Sequence, residues 1–197
     1  LALMFMACKF ATEEMKGNIQ IQVPVNLRKF YDSQTIRNFS MYCSICLPLS
    51  EICDINHILP EITRQLNEKT SQSAMDEMMS TTVKLVRSLK FIPLCIKNPV
   101  AKIVYGFLGD RIFTNTLSNL GVVNMPEEMS LYIEKFDFVL GAGSVGRASC
   151  AIGTYANTTV FSLSKLTTDP SFEEKIYQLL LDYGIRPRVT GSAVYES

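Results

Sequence analysis

A chain of 197 residues fits one domain and is long enough to bury a core. With 47% hydrophobic and 19% charged residues and a mean hydropathy of +0.14, it lies far from disordered compositions and is apolar enough to hide a surface in its native setting. Lysine plus arginine (19) balance aspartate plus glutamate (19), which excludes the basic field that phosphate backbones select, so nucleic acid is not an expected partner.

Leu1–Phe10 is apolar but lacks a basic leader and runs into the charged turn Ala11–Lys16, the pattern of an amphipathic helix rather than a signal peptide. Gly17 is its expected left-handed cap. A start at leucine in mid-helix reads as a truncated piece of a longer protein. Asn18–Val25 alternates as a strand, and Pro24, with no amide to donate, places it at a sheet edge or ends it. After a turn at Tyr31–Ser33, Ile36–Leu47 reads as a second strand. Asn56 is the expected cap of a long helix with Pro60 in its first turn, broken or bent near Thr70–Ser73. A short helix is expected over Pro99–Leu108.

From Phe113 the pattern turns to strands: Phe113–Val123, Ser130–Leu140, Ala148–Tyr155 and Thr158–Leu163, with a hairpin turn at Asn157. Asp169-Pro170-Ser171 opens a helix over Phe172–Tyr183, closed by Gly184, and Ile185–Val189 reads as a last strand. The expected fold is a single α/β domain over residues 1–197, with a mixed, largely antiparallel sheet and packed helices. No run approaches the roughly 20 apolar residues of a membrane span.

Several residues invite a functional reading. Gly141-Ala142-Gly143-Ser144-Val145-Gly146 follows a strand, as a dinucleotide turn does, but the next segment is β-branched and strand-like, with no helix to receive a pyrophosphate. Cys43-Ser44-Ile45-Cys46 has metal-site spacing, yet residues three apart in a strand point to opposite faces, and no second ligand pair completes four. No metal site is therefore expected. The six cysteines read as buried hydrophobes in a reducing cytosol, which makes the cytoplasm the expected location. His57, the one histidine, stands at a helix start with no carboxylate motif beside it, so a surface or capping role is expected.

Three segments in order carry a family resemblance: Val23-Pro24-Val25-Asn26-Leu27-Arg28 followed by Arg37-Asn38-Phe39; Thr116-Leu117-Ser118-Asn119-Leu120-Gly121; and Phe136-Asp137-Phe138-Val139-Leu140-Gly141. Together with the closing helix-glycine-strand they resemble the C-terminal half of the chloramphenicol-acetyltransferase-like, CoA-dependent acyltransferases, particularly the bacterial alcohol acetyltransferases. The resemblance implies one of two subdomains that meet at a tunnel, with an acyl-CoA such as acetyl-CoA as co-substrate, no tightly bound cofactor and a small alcohol as acceptor. It also implies that the general base, a histidine in an H-H-x-x-x-D-G motif, lies on a missing N-terminal half, so that this portion is inactive alone.

By the same resemblance Ser118 is the first candidate for a donor to the tetrahedral oxyanion or for the tunnel wall, with Asn119 and Thr116 beside it. Arg28 and Asp137 are the expected structural pair, a partly buried salt bridge orienting that wall. A second reading, from a different class, is a non-catalytic condensation-like binding or interaction module. Self-association through an exposed docking face is compatible with either.

Overall fold

The computed structural model describes residues 1–12, 16–93, 95–100, 102, 114–142 and 148–191. Helix α1 (Ala2–Phe10) buries Met4 to Cys8. It ends at Phe10, with Ala11 as its cap, more than a turn before the expected Gly17. Gly17 has a positive φ of 134° and turns the chain into strand β1 (Asn18–Asn26), where a side chain would be strained.

Strand β1 pairs antiparallel with β2 (Ser40–Pro48) over its whole length. Of the two places Pro24 allowed, an edge strand or a strand end, the first is not found, since β3 (Asn115–Val122) pairs parallel with its other side, and β1 ends two residues after Pro24. The register explains how the proline is tolerated. Leu27 N–H donates to Phe39 and Leu49 N–H to the Gly17 carbonyl, so odd positions of β1 face β2; Gln20 bonds Thr114, so even positions face β3. Pairing with β3 stops at Gln22–Thr116, and Pro24 lies just past it, where no amide is required.

The sheet is completed by β4 (Ala148–Tyr155), parallel to β3, and β5 (Thr158–Ser164), antiparallel to β4, in the order β2-β1-β3-β4-β5. The expected α/β architecture with a mixed sheet is present. The antiparallel pairings stand at its two edges, over nine and seven residue pairs, and the shorter parallel ones inside, over two and six, so the mixed sheet is largely antiparallel as expected. Ala156 and Asn157 both have positive φ, 45° and 64°, which makes the β4–β5 connection the two-residue hairpin expected at Asn157.

Helix α2 (Ile55–Lys69) is capped by Asp54, whose carboxylate accepts from the Asn56 amide, so Pro60 falls inside the helix rather than at its start. The expected break is present: Thr70 ends α2, and Ser71 caps α3 (Gln72–Ser88) by accepting from Ala74. Residues 95–100 are helical, and the rest of the helix expected over Pro99–Leu108 lies largely outside the described residues. Helix α4 (Ser171–Asp182) starts where Asp169 accepts from the Ser171 amide and stops before Gly184 at φ 76°.

Helices α1, α2 and α4 pack on one face of the sheet. Their buried Phe5, Ile58, Ile62, Phe172 and Ile176 meet Ile19, Ile21, Ile45, Leu47, Leu117 and Cys150 of alternate strand positions. A second cluster joins Met75 of α3 to Val25, Leu27 and Cys43 on the same face. Two expected strands are absent. Residues 133–142 and 185–191 enter no ladder, and Glu127–Ser130 is a single helical turn.

Candidate functional site

Strand alternation puts every odd residue of β1 and β2 on the helix-covered face, and the register carries this across the sheet. Ile21 pairs with Asn115, and Asn115 with Ala148, so Thr116, Ser118, Ser149 and Ala151 belong to the opposite face. One lateral row there is polar in all five strands: Ser44, Gln22, Thr116, Ser149 and Ser164 stand opposite one another in turn. Ser118 is one step further along β3, beside Ala151, and only 8% exposed.

Hydroxyl chemistry on this face is uncommitted at its centre. Among the described residues, Thr116, Ser118 and Ser149 have no side-chain hydrogen-bond partner. Among the described residues no buried side-chain oxygen is left unpaired, so the Ser118 Oγ, though its residue is nine-tenths buried, is reached by solvent. A strand-borne hydroxyl of this kind can donate to a developing oxyanion.

Asn119 does not share that position. It lies on the other face, is exposed, and its side-chain oxygen accepts from the Gly121 amide at 2.8 Å. Gly121 has φ 71°, and the β3–β4 register shifts between Asn119 and Val122. The S-N-L-G string thus divides: Ser118 faces the polar side, and Asn119 with Gly121 builds the bulge after which the pairing resumes at Val122–Thr154.

The segment Phe136-Asp137-Phe138 reaches the same sheet face by a different route from the expected strand. A Cβ placed on Gly153 would meet the Phe136 ring at 3.6 Å and Phe138 at 3.9 Å, so this segment lies over β4. Tyr155 donates its hydroxyl to the Ile133 carbonyl at 3.0 Å, and Ser164 donates to that of Leu140 at 2.6 Å. Lying on the face instead of beside an edge strand, the segment cannot join a ladder. Thr116 and Ser118 of one segment that carries the resemblance and Phe136 and Phe138 of another therefore lie on one side of the sheet.

The expected Arg28–Asp137 pair is not formed. Arg28 sits in the 3-10 turn Leu27–Lys29, and the loop after it folds back, so its guanidinium donates to the carbonyls of Thr35 (2.7 Å) and Arg37 (2.8 Å) and lies 6.0 Å from the Phe39 ring centroid. Asp137 is exposed and pairs with Lys135 at 2.7 Å. Among the described residues no ion pair joins the two. Arg28 instead fastens Arg37 and Phe39 to the end of β1.

His57 is exposed in the first turn of α2, on the helix side of the sheet, away from the Ser118 face. The cysteines provide no nucleophile in the core. Burial, and then the nearby Cys8, push the Cys150 thiol up to about 12, and burial likewise raises Cys43. Cys43 and Cys46 face opposite sides, and among the described residues no group of three His, Cys, Asp or Glu side chains is placed to hold a metal. The glycine string falls partly outside the described residues, with 143–147 beyond them.

Two polar residues that sequence reading missed are structural. Asn115, 1% exposed, accepts from the Ala148 amide at 3.1 Å and donates to the Cys8 sulfur at 3.0 Å, tying β3 to β4 and to α1. Gln65 of α2 bonds both main-chain groups of Cys46 on the edge strand β2. An asparagine at a core-facing strand position and a glutamine on an apolar helix stripe were the available signals.

Among known protein families no model matches the chain, and no characterised protein matches it in sequence. Among the described residues no helix is long and apolar enough to cross a membrane.

Proposed function

We propose that this chain is the C-terminal portion of an acyltransferase that moves an acyl group from a CoA thioester to an alcohol. The sheet face opposite the helical core would form one wall of the substrate tunnel. The observation that carries the reading is Ser118: nearly buried, without a protein partner, and held on a rigid strand among further hydroxyls.

Attack of an alcohol oxygen on a thioester carbonyl needs a base for the alcohol proton and a donor for the carbonyl oxygen as it becomes tetrahedral. Ser118 supplies the donor. The base comes from elsewhere, because the sheet separates His57 from this face. An N-terminal half bearing an H-H-x-x-x-D-G histidine would supply it, closing the tunnel over Thr116, Ser118 and Ser149. Acetyl-CoA or another acyl-CoA is then a co-substrate and not a resident cofactor, and a cytoplasmic location follows from where acyl-CoA is made.

The test is thiol release from acetyl-CoA with short alcohols, comparing this chain with one extended upstream to the start of its gene. Turnover only in the extended protein, lost when the upstream histidine becomes alanine, is the expected result. Silence from both shifts weight to a non-catalytic binding module, and turnover by this chain alone refutes the assignment of the base.

A further inference from the structure

Helix α3 is amphipathic along its whole length but covered along only half of it. Met75 is fully buried, and Met78 and Met79 pack on the cluster around Val25 and Leu27. The same spacing of three and four residues continues through Thr82, Val86 and Leu89, yet every residue from Ser80 to Pro93 is exposed. Val86 is 63% exposed, Leu85 58%, Phe91 88%, and Ile96 and Val100 of the following helical segment 53% each. Bulky apolar side chains thus stand together on a projection from the fold.

Charge distinguishes this projection from an ordinary packing surface. The chain has a formal net charge of zero, but between Glu77 and Asp110 it carries Lys84, Arg87, Lys90, Lys97 and Lys102 and no acidic residue. Lys84 and Arg87 stand three apart on α3, and Lys90 follows at the same spacing in the turn just past its cap. Among the described residues none of the three side chains has an ion-pair or hydrogen-bond partner. The cores of protein–protein interfaces are depleted of lysine, whereas helices that lie in a bilayer interface combine Lys and Arg with Phe and Leu.

We infer that the outer half of α3 with the helical segment at 95–100 docks on an anionic lipid surface. The cations engage the headgroups, and Phe91, Val86 and Leu89 enter the acyl boundary. Attachment is interfacial and independent of the acyl-transfer reading, since it uses residues on neither sheet face.

The experiment is sedimentation of the protein with phosphatidylcholine vesicles and with vesicles that also contain phosphatidylglycerol, at low and high salt. Binding is expected to the anionic vesicles alone and to disappear at high salt. Each cation near such a surface adds about a fivefold factor, so the triple variant Lys84→Glu, Arg87→Glu, Lys90→Glu should bind more than about a hundredfold more weakly. These side chains are exposed, and circular dichroism checks that the variant stays folded. The chain contains no tryptophan, so Phe91→Trp gives a single reporter whose emission should shift to the blue with anionic vesicles. Equal binding to both vesicle types, wild-type binding by the triple variant, or an unshifted Trp emission overturns the proposal. So does capture of the protein by polyglutamate without any binding to vesicles, which would assign the surface to an acidic protein.

Discussion

Replacing Gln65 by alanine should unlock one edge of the sheet. Gln65 is 8% exposed; its side-chain oxygen accepts from the Cys46 amide at 3.1 Å, and its nitrogen donates to the Cys46 carbonyl at 2.8 Å and to Glu61 at 2.8 Å. It occupies the place of a neighbouring strand, and Lys69 one turn later covers the Ser44 carbonyl at 2.5 Å. Truncation leaves both Cys46 groups unpaired beside a helix that partly excludes water. At about 1 kcal/mol for each lost bond, with some desolvation cost for the stranded groups, the expected loss is about 2–4 kcal/mol. That is a large share of the about 5–15 kcal/mol of a typical domain and should lower Tm by about 5–15 °C. Urea unfolding followed by circular dichroism measures it, with Gln72→Ala, whose amide meets only the exposed Asp76, as the control. The freed edge should also raise aggregation. A loss within about 0.5 kcal/mol of the control, with no added aggregation, would refute the reasoning.

In a catalytically complete, extended protein, Ser118→Ala should lower kcat by about a hundredfold with little change in KM, whereas Asn119→Ala should act on stability; equal kinetic effects of the two would remove the face assignment. Hydrogen bonds from Arg64 and then Gln65 hold the Glu61 carboxyl down to about 2. The folded form therefore gains from its ionisation above its ordinary value of 4.5, and this gain disappears as pH falls from there toward about 2. Glu61→Gln should flatten the stability curve in that window, and an unchanged slope in acid unfolding would contradict the assignment. Among the thiols, exposed Cys53 and Cys95 should react quickly with Ellman's reagent, and buried Cys8, Cys43 and Cys150 only on unfolding; fast native labelling of Cys150 would contradict its burial.

Strands β1, β4 and β5 were legible because one face is core and the other is not, so side chains alternate, and Asn157 supplied the turn. The same rule misread residues 133–140. Phe136, Phe138 and Leu140 do alternate with outward Asp137 and Val139, but they pack onto the sheet's face over Gly153, and alternation alone does not separate a strand in a ladder from an extended segment lying across one. The cap of α2 was placed two residues late because Asn56 and Asp54 are both good caps, and geometry chose Asp54. The roles of Gln65 and Asn115 were not legible, because each depends on a register between elements that are distant along the chain.

Burial of Ser118 calls for a physical account. Among the described residues the helices of the core cover one face of this sheet, and the other face of such a sheet is ordinarily solvated and free to carry long polar side chains. Here its centre is small: Ser149, Ala151, Gly153 and Ser118 stand side by side, and Phe136 with Phe138 uses that room over β4. Small residues let another group approach the backbone closely, and among the described residues the Thr116 and Ser118 hydroxyls have no partner. A surface meant only for water has no need of such a floor, while a wall that meets a narrow substrate does. Thr116→Gln and Ser149→Gln separate the two: on a solvated face both should be neutral in stability and in activity of the extended protein, and in a tunnel wall they should leave stability within about 0.5 kcal/mol while raising KM for the acyl donor or the alcohol.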